Sequence, residues 1–426
     1  MSENSDAWQK VFDRLDLPAR LRERGVCFLT ADELKLHGGR EPRLMAKIDT
    51  LQERPAIFGE HQVNLFPIKN GQYALFKDPE NSTYFKLVSL WEGVSARSYH
   101  APGLGGRFDT LAAGRAFSES QAIDFAFIAS LLRTFFGDPA AQLTLRGRLF
   151  SDRFSFRPPG QASPIEVNKV QIEVDAGYEG DSIFLIEAKI GKRDDFNIRQ
   201  LWYPFLNWSA KSRKRIVPIL LNYTNGQYFL SEFAFSDRFG DLSVVRSECH
   251  VINDSPFAAL NWEVLWTQVP AELEAAPFPQ ADDLDKVIDV VKLTAGGPAD
   301  KAQIADYFEF DERQGDYYAN AAKYLGLIER SGEGFQPTAR GVAFNQLATR
   351  AERTLAVAEQ LLRRPSFRRA IGLLRERNFL LASLGAQELA GIIAQETGLN
   401  LTTAHRRAMT VRCWLTWLVK NSQAAA

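Results

Sequence analysis

Apolar and polar positions follow helix and strand periods most regularly between residues 118 and 235. Two stretches predict helices: "SESQAIDFAFIASLLRTFF", which begins with a Ser cap, and "DDFNIRQLWYPF", with an Asp cap and an end near Pro204. Period-two alternation or short apolar runs predict five strands, namely "LTLRGRLFSDRFSFR", "NKVQIEVDAGY", "SIFLIEAKI", "RKRIVPILLNYT" and "QYFLSEFAF". The order αβββαββ predicts an α/β (α+β) domain whose mixed sheet carries a helix on each face.

The segments on either side of this block have different patterns. Residues 1–112 mix short helix and strand patterns with turn residues, and Asn70-Gly71 predicts a hairpin, so we expect an N-terminal α+β domain there. The central domain is predicted at 113–269 and is followed by a Pro- and acid-rich linker. Residues 284–346 predict three helices and two short strands with a Gly-containing tip. The last part, 347–426, is predicted to be helical.

Composition narrows the class of protein. The 426 residues are 45% hydrophobic and 24% charged, which is ordinary for a soluble globular protein. The start "MSENSDAWQK" lacks the apolar core of a signal peptide, and no apolar run reaches the roughly 20 residues of a membrane helix. Three widely separated cysteines argue against a zinc site or a disulfide scaffold. We therefore expect a cytoplasmic protein without membrane contact.

Charge is distributed unevenly, although the whole chain carries only −1. From Arg350 to the end there are twelve Lys/Arg and five Asp/Glu, which gives this segment +7 and leaves the remainder acidic. Such a basic end is expected where a protein approaches a polyanion. Solvated Arg-rich helices would show the same excess, so charge alone leaves both interpretations open.

The predicted strand pair in "IEVDAGYEGDSIFLIEAKIG" carries charges among apolar residues. Side chains alternate along a strand, so Glu173 and Asp175 share one face. Glu187 and Lys189 share a face for the same reason. If the turn is centred on Gly180, Glu173 lies opposite Glu187, and all four charged groups share one face. Unpaired charge is expensive to bury, so these groups either line a solvated edge or hold a metal ion.

A divalent cation would remove the repulsion between two neighbouring carboxylates. Ligation by oxygen alone suits Mg²⁺ better than zinc, which prefers His or Cys. Lys189 beside such an ion can position or deprotonate a water and stabilise negative charge in a transition state. This combination is suited to the hydrolysis of phosphodiesters.

The pattern Asp175–x11–Glu187–Ala188–Lys189, on two adjacent strands followed by a helix, resembles the signature of the PD-(D/E)xK nuclease superfamily. Val174 stands where that signature has proline. The resemblance implies a restriction-endonuclease-like core in which Asp175, Glu187 and the backbone carbonyl of Ala188 bind Mg²⁺. It also implies that Asp175, Glu187 and Lys189 are catalytic.

The resemblance extends to the next helix, which in this family supplies a Gln and a Tyr. Gln200 is therefore expected to be catalytic, and Tyr203, one helical turn later, is a possible accessory residue. Glu173 has no fixed family role and is a second possible accessory, for another metal ion or for a water. Asp181 lies in the turn, so Asp175 is the better candidate for the metal ligand.

Two C-terminal segments resemble DNA-binding units. Residues 284–346 resemble a winged helix-turn-helix, and two final helices joined at Gly398–Asn400 resemble a second helix-turn-helix, with 402–419 as its recognition helix. The side chains expected to contact DNA are Arg406, Arg407, Arg412, Thr402 and Thr403 in the second unit and Arg313, Gln314, Tyr317, Asn320 and Lys323 in the first. The first unit is weakly basic, so a structural or protein-contacting role is an open alternative there.

Together these features predict a Mg²⁺-dependent, sequence-specific endonuclease acting on double-stranded DNA, with domain 1–112 as a possible contributor to recognition. The whole chain, including "GREPRLMAKIDT" and "TAHRRAMTVRCWLTWL", resembles bacterial type II restriction-like enzymes. That resemblance implies a restriction system, a homodimer and a DNA methyltransferase encoded nearby. Two alternatives stay open: a modification-dependent or repair and junction-resolving nuclease, and a non-catalytic winged-helix protein whose α/β domain is only a scaffold.

Overall fold

Three groups of elements follow one another along the chain in the computed structural model, which describes residues 3–102, 108, 110–111, 118–236, 238–332 and 334–424. The first group contains the helices α1 (Glu3–Arg14), α2 (Leu17–Arg24), α3 (Ala31–Gly38), α4 (Pro42–Ala46), α5 (Ala56–His61) and α6 (Val88–Gly93). Its strands are β1 (Val26–Thr30), β2 (Val63–Lys69), β3 (Gln72–Lys77), β4 (Tyr84–Lys86) and β5 (Ala96–Tyr99). The predicted hairpin at Asn70-Gly71 is confirmed as β2–β3, and Gly71 has the positive φ, +70°, that this turn requires.

The second group forms a seven-stranded mixed sheet. Its helices are α7 (Glu119–Ile128), α8 (Leu131–Phe136) and α9 (Arg199–Ser209). Its strands are β6 (Gln142–Phe150), β7 (Phe154–Phe156), β8 (Ile165–Val167), β9 (Gln171–Glu179), β10 (Ile183–Ile190), β11 (Asp195–Asn197), β12 (Ile216–Thr224), β13 (Gln227–Phe235) and β14 (Leu242–Ile252). The sheet order is β5-β14-β13-β12-β10-β9-β6, and only β10–β12 and β14–β5 are parallel within it. The prediction of a mixed α/β architecture is therefore confirmed.

The middle of this sheet is buried on both faces. Every residue of β10 and β12 is buried, as expected for a parallel pair covered by helices. Parallel neighbours require a crossover, and α9 provides it. Alternate residues of β10 pack in opposite directions, with Phe184 and Ile186 towards α7 and α8, and Leu185 towards α9. This alternation decides which helix each polar residue of β10 meets.

Of the boundaries predicted for the two helices of this group, the start of the first is correct and the others are wrong. Ser118 caps α7 by accepting a hydrogen bond from the backbone of Gln121, as expected. The single helix predicted after it breaks at Ser130, where φ is +62°. The second predicted helix begins at Arg199 rather than at its Asp pair, because Asp195 belongs to β11 and pairs with β4 of the first group. It also continues through Pro204 instead of ending there.

Two strands of the sheet lie outside the predicted elements. β14 pairs with β13, and β5 extends the sheet by pairing with β14. β5 comes from residues 1–112, so the first group contributes an edge strand to the central sheet. The predicted boundary at 112 and 113 lies outside the described residues, and the domain limits stay predictions.

The third group is largely helical. Its α-helices are α10 (Trp262–Gln268), α11 (Leu284–Thr294), α12 (Lys301–Phe308), α13 (Glu312–Tyr324), α14 (Ala339–Gln346), α15 (Arg350–Arg363), α16 (Pro365–Glu376), α17 (Ala386–Thr397) and α18 (Leu401–Lys420). Its strands are β15 (Ala258–Leu260), β16 (Ile328–Ser331), β17 (Gly334–Pro337) and β18 (Ser422–Ala424). A single hydrophobic core joins the segments predicted at 284–346 and 347–426, and it includes Val287, Leu361 and Trp414.

A buried polar junction fixes the third group to the sheet. Asp285 of α11 pairs with Arg350 of α15 at 3.0 Å and accepts a hydrogen bond from Asn225 in the β12–β13 turn. Arg353 donates to the side-chain oxygen of Asn225 at 2.7 Å, and Asp289 accepts from Thr224. Removing one partner would leave a buried charge uncompensated. The junction therefore holds α11, and α12 after it, next to the ends of the central strands.

Across the described parts of the chain, no helix combines the length and the apolar composition needed to cross a membrane.

Candidate active site

The β9–β10 hairpin brings Asp175 close to Glu187. Ile186 pairs with Ala176, so Asp175 and Glu187 directly adjoin the last pair of the hairpin, and Asp175 contributes to the raised pKa of Glu187. The predicted register, centred on Gly180, is wrong by two residues. Because the error is an even number, Glu187 still lies on the expected face.

Glu173 does not join this pair, because β9 bulges before Ala176. The pairing of β6 with β9 shifts register at this point, and Val174 packs towards α9 whereas Ala176 packs towards α7. A bulge redirects the side chains that follow it. The Oε2 atom of Glu173 lies 3.1 Å from Arg148 Nε on β6, and both side chains are about half exposed. The expectation that all four charges share one face is therefore wrong for Glu173, and its position gives no support to an accessory role.

Glu187, Lys189 and Gln200 form a buried hydrogen-bonded group. Lys189 Nζ lies 3.0 Å from Glu187 Oε1, and Gln200 Nε2 donates to the same oxygen at 2.8 Å. Glu187 is 7% exposed and Lys189 is 5% exposed, so the ion pair is shielded from water. Gln200 reaches the pair from the first turn of α9, which begins shortly after β11. Three residues assigned to one site from the sequence are thus in contact.

Asp175 is oriented by the backbone of the neighbouring strand. The N–H of Ala188 donates to Asp175 Oδ2 at 2.7 Å. Burial, reinforced by the nearby Glu119, raises the pKa of Asp175 to about 6, against the lowering effects of the Ala188 N–H and of Lys189. Ala188 itself, between Glu187 and Lys189 in the chain, is fully buried.

Of the two groups in this buried pair, Lys189 holds its proton more tightly than Glu187 does. Burial raises the pKa of Glu187 to about 8, and Lys189 only partly counters this effect. Burial alone would lower the pKa of Lys189, but the carboxylates of Glu187, Glu309 and Glu119 outweigh it and raise that pKa above its ordinary value. Lys189 therefore stays charged, which favours electrostatic stabilisation over the role of a proton acceptor.

Glu119 belongs to this site and was not predicted from the sequence. It is the first residue of α7, and burial raises its pKa while Lys189 lowers it. An acidic residue in the first turn of a helix is ordinarily explained by the helix dipole. The sequence therefore contained no feature that distinguished Glu119 from a plain helix-terminal glutamate.

Charged residues from the other two groups close the site. Asp49, at the end of the "GREPRLMAKIDT" segment, lies 3.1 Å from Arg199 at the start of α9. Burial and the neighbouring carboxylates raise the pKa of Glu53 to about 7. From the third group, Glu309 lies 3.8 Å from Arg193, which follows β10. The site thus lies where all three groups of elements meet.

Tyr203 lies away from these residues. Its hydroxyl donates to the carbonyl of Pro67 at 2.9 Å, and its ring packs against Phe66 and Phe154. It is one helical turn from Gln200, but its side chain reaches the β2 strand of the first group instead of the hairpin. The accessory role predicted for Tyr203 has no support from this position.

The donor set is suited to one Mg²⁺ ion. Asp175, Glu187 and the backbone carbonyl of Ala188 supply only oxygen, and Mg²⁺ completes its shell with water. Gln200 Oε1 is buried without a hydrogen-bond partner among the described residues. Burial, with a smaller contribution from neighbouring carboxylates, raises the pKa values of Asp175 and Glu187, and a cation would offset this effect. Within that same part of the chain, no group of three or more His, Cys, Asp or Glu side chains is arranged to hold a metal. The ion would therefore depend on two carboxylates, one carbonyl and water.

The residues predicted to contact DNA lie on α13 and α18, and side chains of the two predicted sets lie close to each other. Arg313 Nε donates to the Tyr317 hydroxyl at 2.6 Å. Burial and Arg406 lower the pKa of Arg407, and the nearby Tyr317 partly opposes this effect. The exposed members of the predicted set are Arg313, Thr402, Arg406 and Arg412, and the partly buried members are Gln314, Tyr317, Asn320, Lys323, Thr403 and Arg407. Asn320 donates to a carbonyl of its own helix.

Most arginines of the basic C-terminal segment form contacts within the chain. Every arginine between 350 and 377 contacts another part of the chain, chiefly through the carboxylates Asp285, Glu272, Glu396, Glu263 and Glu388. On α18, by contrast, Arg406, Arg407 and Arg412 form no ion pair with the described residues. Within the described part of the basic segment, the exposed arginines without an ion pair therefore lie on α18.

Three family models match separate parts of this chain, each described as a domain of unknown function: DUF6996 over residues 5–75, DUF6997 over 97–251 and DUF7226 over 286–423. The second match contains the hairpin, and the third spans α11 to α18. Comparison with curated proteins gives no match, and comparison with solved structures gives none either.

Proposed function

We propose that this protein is a Mg²⁺-dependent endonuclease that hydrolyses phosphodiester bonds in double-stranded DNA. The observation that carries the proposal is the convergence of Asp175, Glu187, Lys189 and Gln200 on a β-hairpin and its crossover helix. The central group supports a restriction-endonuclease-like core, because its sheet strands follow α7 and α8 in the order β6, β9 and β10, then α9, then β12, β13 and β14.

Each residue at the site has a distinct part in this proposal. Asp175, Glu187 and the Ala188 carbonyl would hold the ion, which supplies a Lewis acid for the phosphate and for an attacking water. Lys189, which stays protonated, stabilises the charge that develops on the phosphate oxygens. Gln200 fixes the orientation of Glu187, in the manner of the outer residues of a metal site.

The third group of elements supports DNA binding. α11, α12 and α13 followed by the β16–β17 hairpin have the order of a winged helix-turn-helix, and α17–α18 have that of a second helix-turn-helix. Arg406 and Arg412 on α18 are the residues best placed to meet phosphates or base edges. We propose sequence-specific restriction by a homodimer, with a companion methyltransferase encoded nearby, as the biological role.

Incubation of the purified protein with plasmid and phage DNA in Mg²⁺, followed by sequencing of the ends, tests the function. Discrete fragments with defined ends support restriction. A preference for branched or modified DNA would support the repair or modification-dependent alternative instead. DNA binding by a folded protein that cuts none of these substrates would leave the non-catalytic alternative.

A further inference from the structure

Arg193 presents buried side-chain N–H groups to which no described residue offers a hydrogen-bond acceptor. Its side chain is almost fully buried, and its Nη2 donates to the carbonyl of Tyr307 at 2.9 Å. Its Nε and Nη1 atoms have no hydrogen-bond partner among the described residues. The nearest carboxylate oxygen, from Glu309, lies 3.8 Å away, beyond hydrogen-bonding distance. Buried donors are normally satisfied, so these atoms mark a place for an acceptor.

Glu309 occupies a strained turn beside that arginine. It lies between α12 and α13 with φ of +57°, a conformation that favours glycine, so a carboxylate is kept here at some conformational cost. Its Oε2 atom is also buried without a partner among the described residues. Burial would raise the pKa of Glu309, but Lys189 and Arg193 together hold it below its ordinary value. The carboxylate is therefore ionised next to two cations of the site.

Close packing keeps Glu309 over the site. Gly191 has φ of +79°, and a Cβ atom there would lie 2.8 Å from the ring of Phe308, so the end of α12 rests directly on the loop after β10. From the first group, the hydroxyl of Thr50 donates to the Glu309 carbonyl at 3.0 Å. The loop after β10 and the first group thus both fix the backbone of this turn.

We propose that Arg193 binds a phosphate of the DNA substrate and that Glu309, whose carboxylate lies beside the guanidinium, competes with that phosphate electrostatically in the free protein. The inference rests on the proposed function, and it adds a substrate-binding residue and its competitor to the same site. A guanidinium binds carboxylate and phosphate through the same planar set of donors. An incoming phosphate would provide acceptors for the open N–H groups of Arg193 and lie near Lys189.

The competing explanation is that Arg193 and Glu309 only hold α12 in place. The two explanations differ for Glu309→Gln, which keeps the shape of the side chain and removes its charge. If Glu309 is a competitor, the variant binds DNA more tightly. If Glu309 only forms a structural ion pair, the variant has lower thermal stability and unchanged DNA affinity. Glu312→Gln is the matched control, because Glu312 lies at the start of α13 and is exposed in its pair with Lys301.

The test measures equilibrium binding of a short DNA duplex by fluorescence anisotropy in EDTA, using the full-length protein, with melting curves to verify folding. The variants are Glu309→Gln, Arg193→Met, Arg193→Lys, the Glu309→Gln/Arg193→Met double variant and Glu312→Gln. We expect about tenfold tighter binding for Glu309→Gln and about tenfold weaker binding for Arg193→Met, the size of one charge-assisted contact. Arg193→Lys retains part of the affinity. When Arg193 is already Met, we expect Glu309→Gln to change the DNA affinity no more than Glu312→Gln does.

The proposal is overturned if the effect of Glu309→Gln equals that of Glu312→Gln, or if it persists in full without Arg193. Absence of DNA binding by folded wild-type protein and by the Glu309→Gln variant also overturns it. Cleavage of the same duplex in Mg²⁺ separates this inference from the proposed function. If the Glu309→Gln effect on binding depends on Arg193 but no variant cuts the duplex, the endonuclease proposal is contradicted and the phosphate site is supported. If the protein cuts the duplex but the two residues act independently in binding, only the phosphate site is contradicted.

Discussion

Replacing Asp175 by Asn is expected to stabilise the metal-free protein while abolishing cleavage. The variant keeps an oxygen that accepts from the Ala188 N–H, but it removes a carboxylate whose ionisation is made unfavourable by burial and by Glu119. The pKa of Asp175 rises from its ordinary 3.8 to about 6. Since one pKa unit corresponds to about 1.4 kcal/mol, ionised Asp175 costs the folded state at most about 3 kcal/mol.

The sign of this effect fixes its pH dependence. The folded-state pKa is raised, so the cost is absent below the unfolded pKa of 3.8 and grows as pH rises through about 6. Asp175→Asn should therefore gain its full stability at pH 8 and about half of it at pH 5. Thermal unfolding in EDTA at both pH values measures the difference, which amounts to a few degrees. Asp181→Asn, in the exposed turn of the same hairpin, is the control and should change neither stability nor cleavage.

Two results would refute this reasoning. If Asp175→Asn melts at a lower temperature than the wild type at pH 8 in EDTA, the carboxylate is not destabilised by its surroundings. If the variant gains stability but still cuts DNA at the wild-type rate, the electrostatic argument holds and the assignment of Asp175 to the catalytic site is wrong.

Four further outcomes are expected. Lys189→Gln should lower kcat by about 10²-fold or more with DNA affinity retained, as measured by single-turnover cleavage and anisotropy. Gln200→Ala should weaken Mg²⁺ activation by about tenfold, seen as a shift in the Mg²⁺ concentration for half-maximal rate. Mg²⁺ affinity should increase as pH rises from about 6 to 8, and Mg²⁺ binding should release protons in this range, because the pKa values of Asp175 and Glu187 lie there. Calorimetry in buffers of different ionisation enthalpy measures the number of protons released. Arg406→Ala should reduce the salt dependence of DNA binding by about one unit of slope, whereas Arg363→Ala, whose cation already pairs with Glu272, should leave the slope unchanged.

The residues that sequence analysis brought together lie close along the chain. Asp175, Glu187 and Lys189 belong to one hairpin, and Gln200 lies on the helix that follows it. Turn length and strand alternation therefore limit their arrangement to a few registers. The register was wrong by two residues, yet the even shift kept Glu187 and Lys189 on the expected face.

Other features depend on packing between distant segments. The bulge that separates Glu173 from Asp175 arises from pairing with β6, some twenty-five residues earlier in the chain. Tyr203 has the same helical phase as Gln200 but packs into an aromatic cluster supplied partly by β2. The basic C-terminal segment had the charge of a DNA-binding tail, but its arginines between 350 and 377 serve as contacts within the chain.

The sequence by itself determined five of the seven sheet strands, the hairpin at Asn70-Gly71 and the grouping of Asp175, Glu187 and Lys189, because each of these depends on periodicity or spacing over a few dozen residues. The family resemblance added Gln200 to that group. Only the tertiary structure decided that Glu119, Asp49 and Glu309 surround that group. These residues approach one another because burial of apolar surface holds three groups of elements together, and no local pattern records which surface each group buries. The charge environment of the site, and with it the pKa values that govern its chemistry, is therefore a property of the assembled fold.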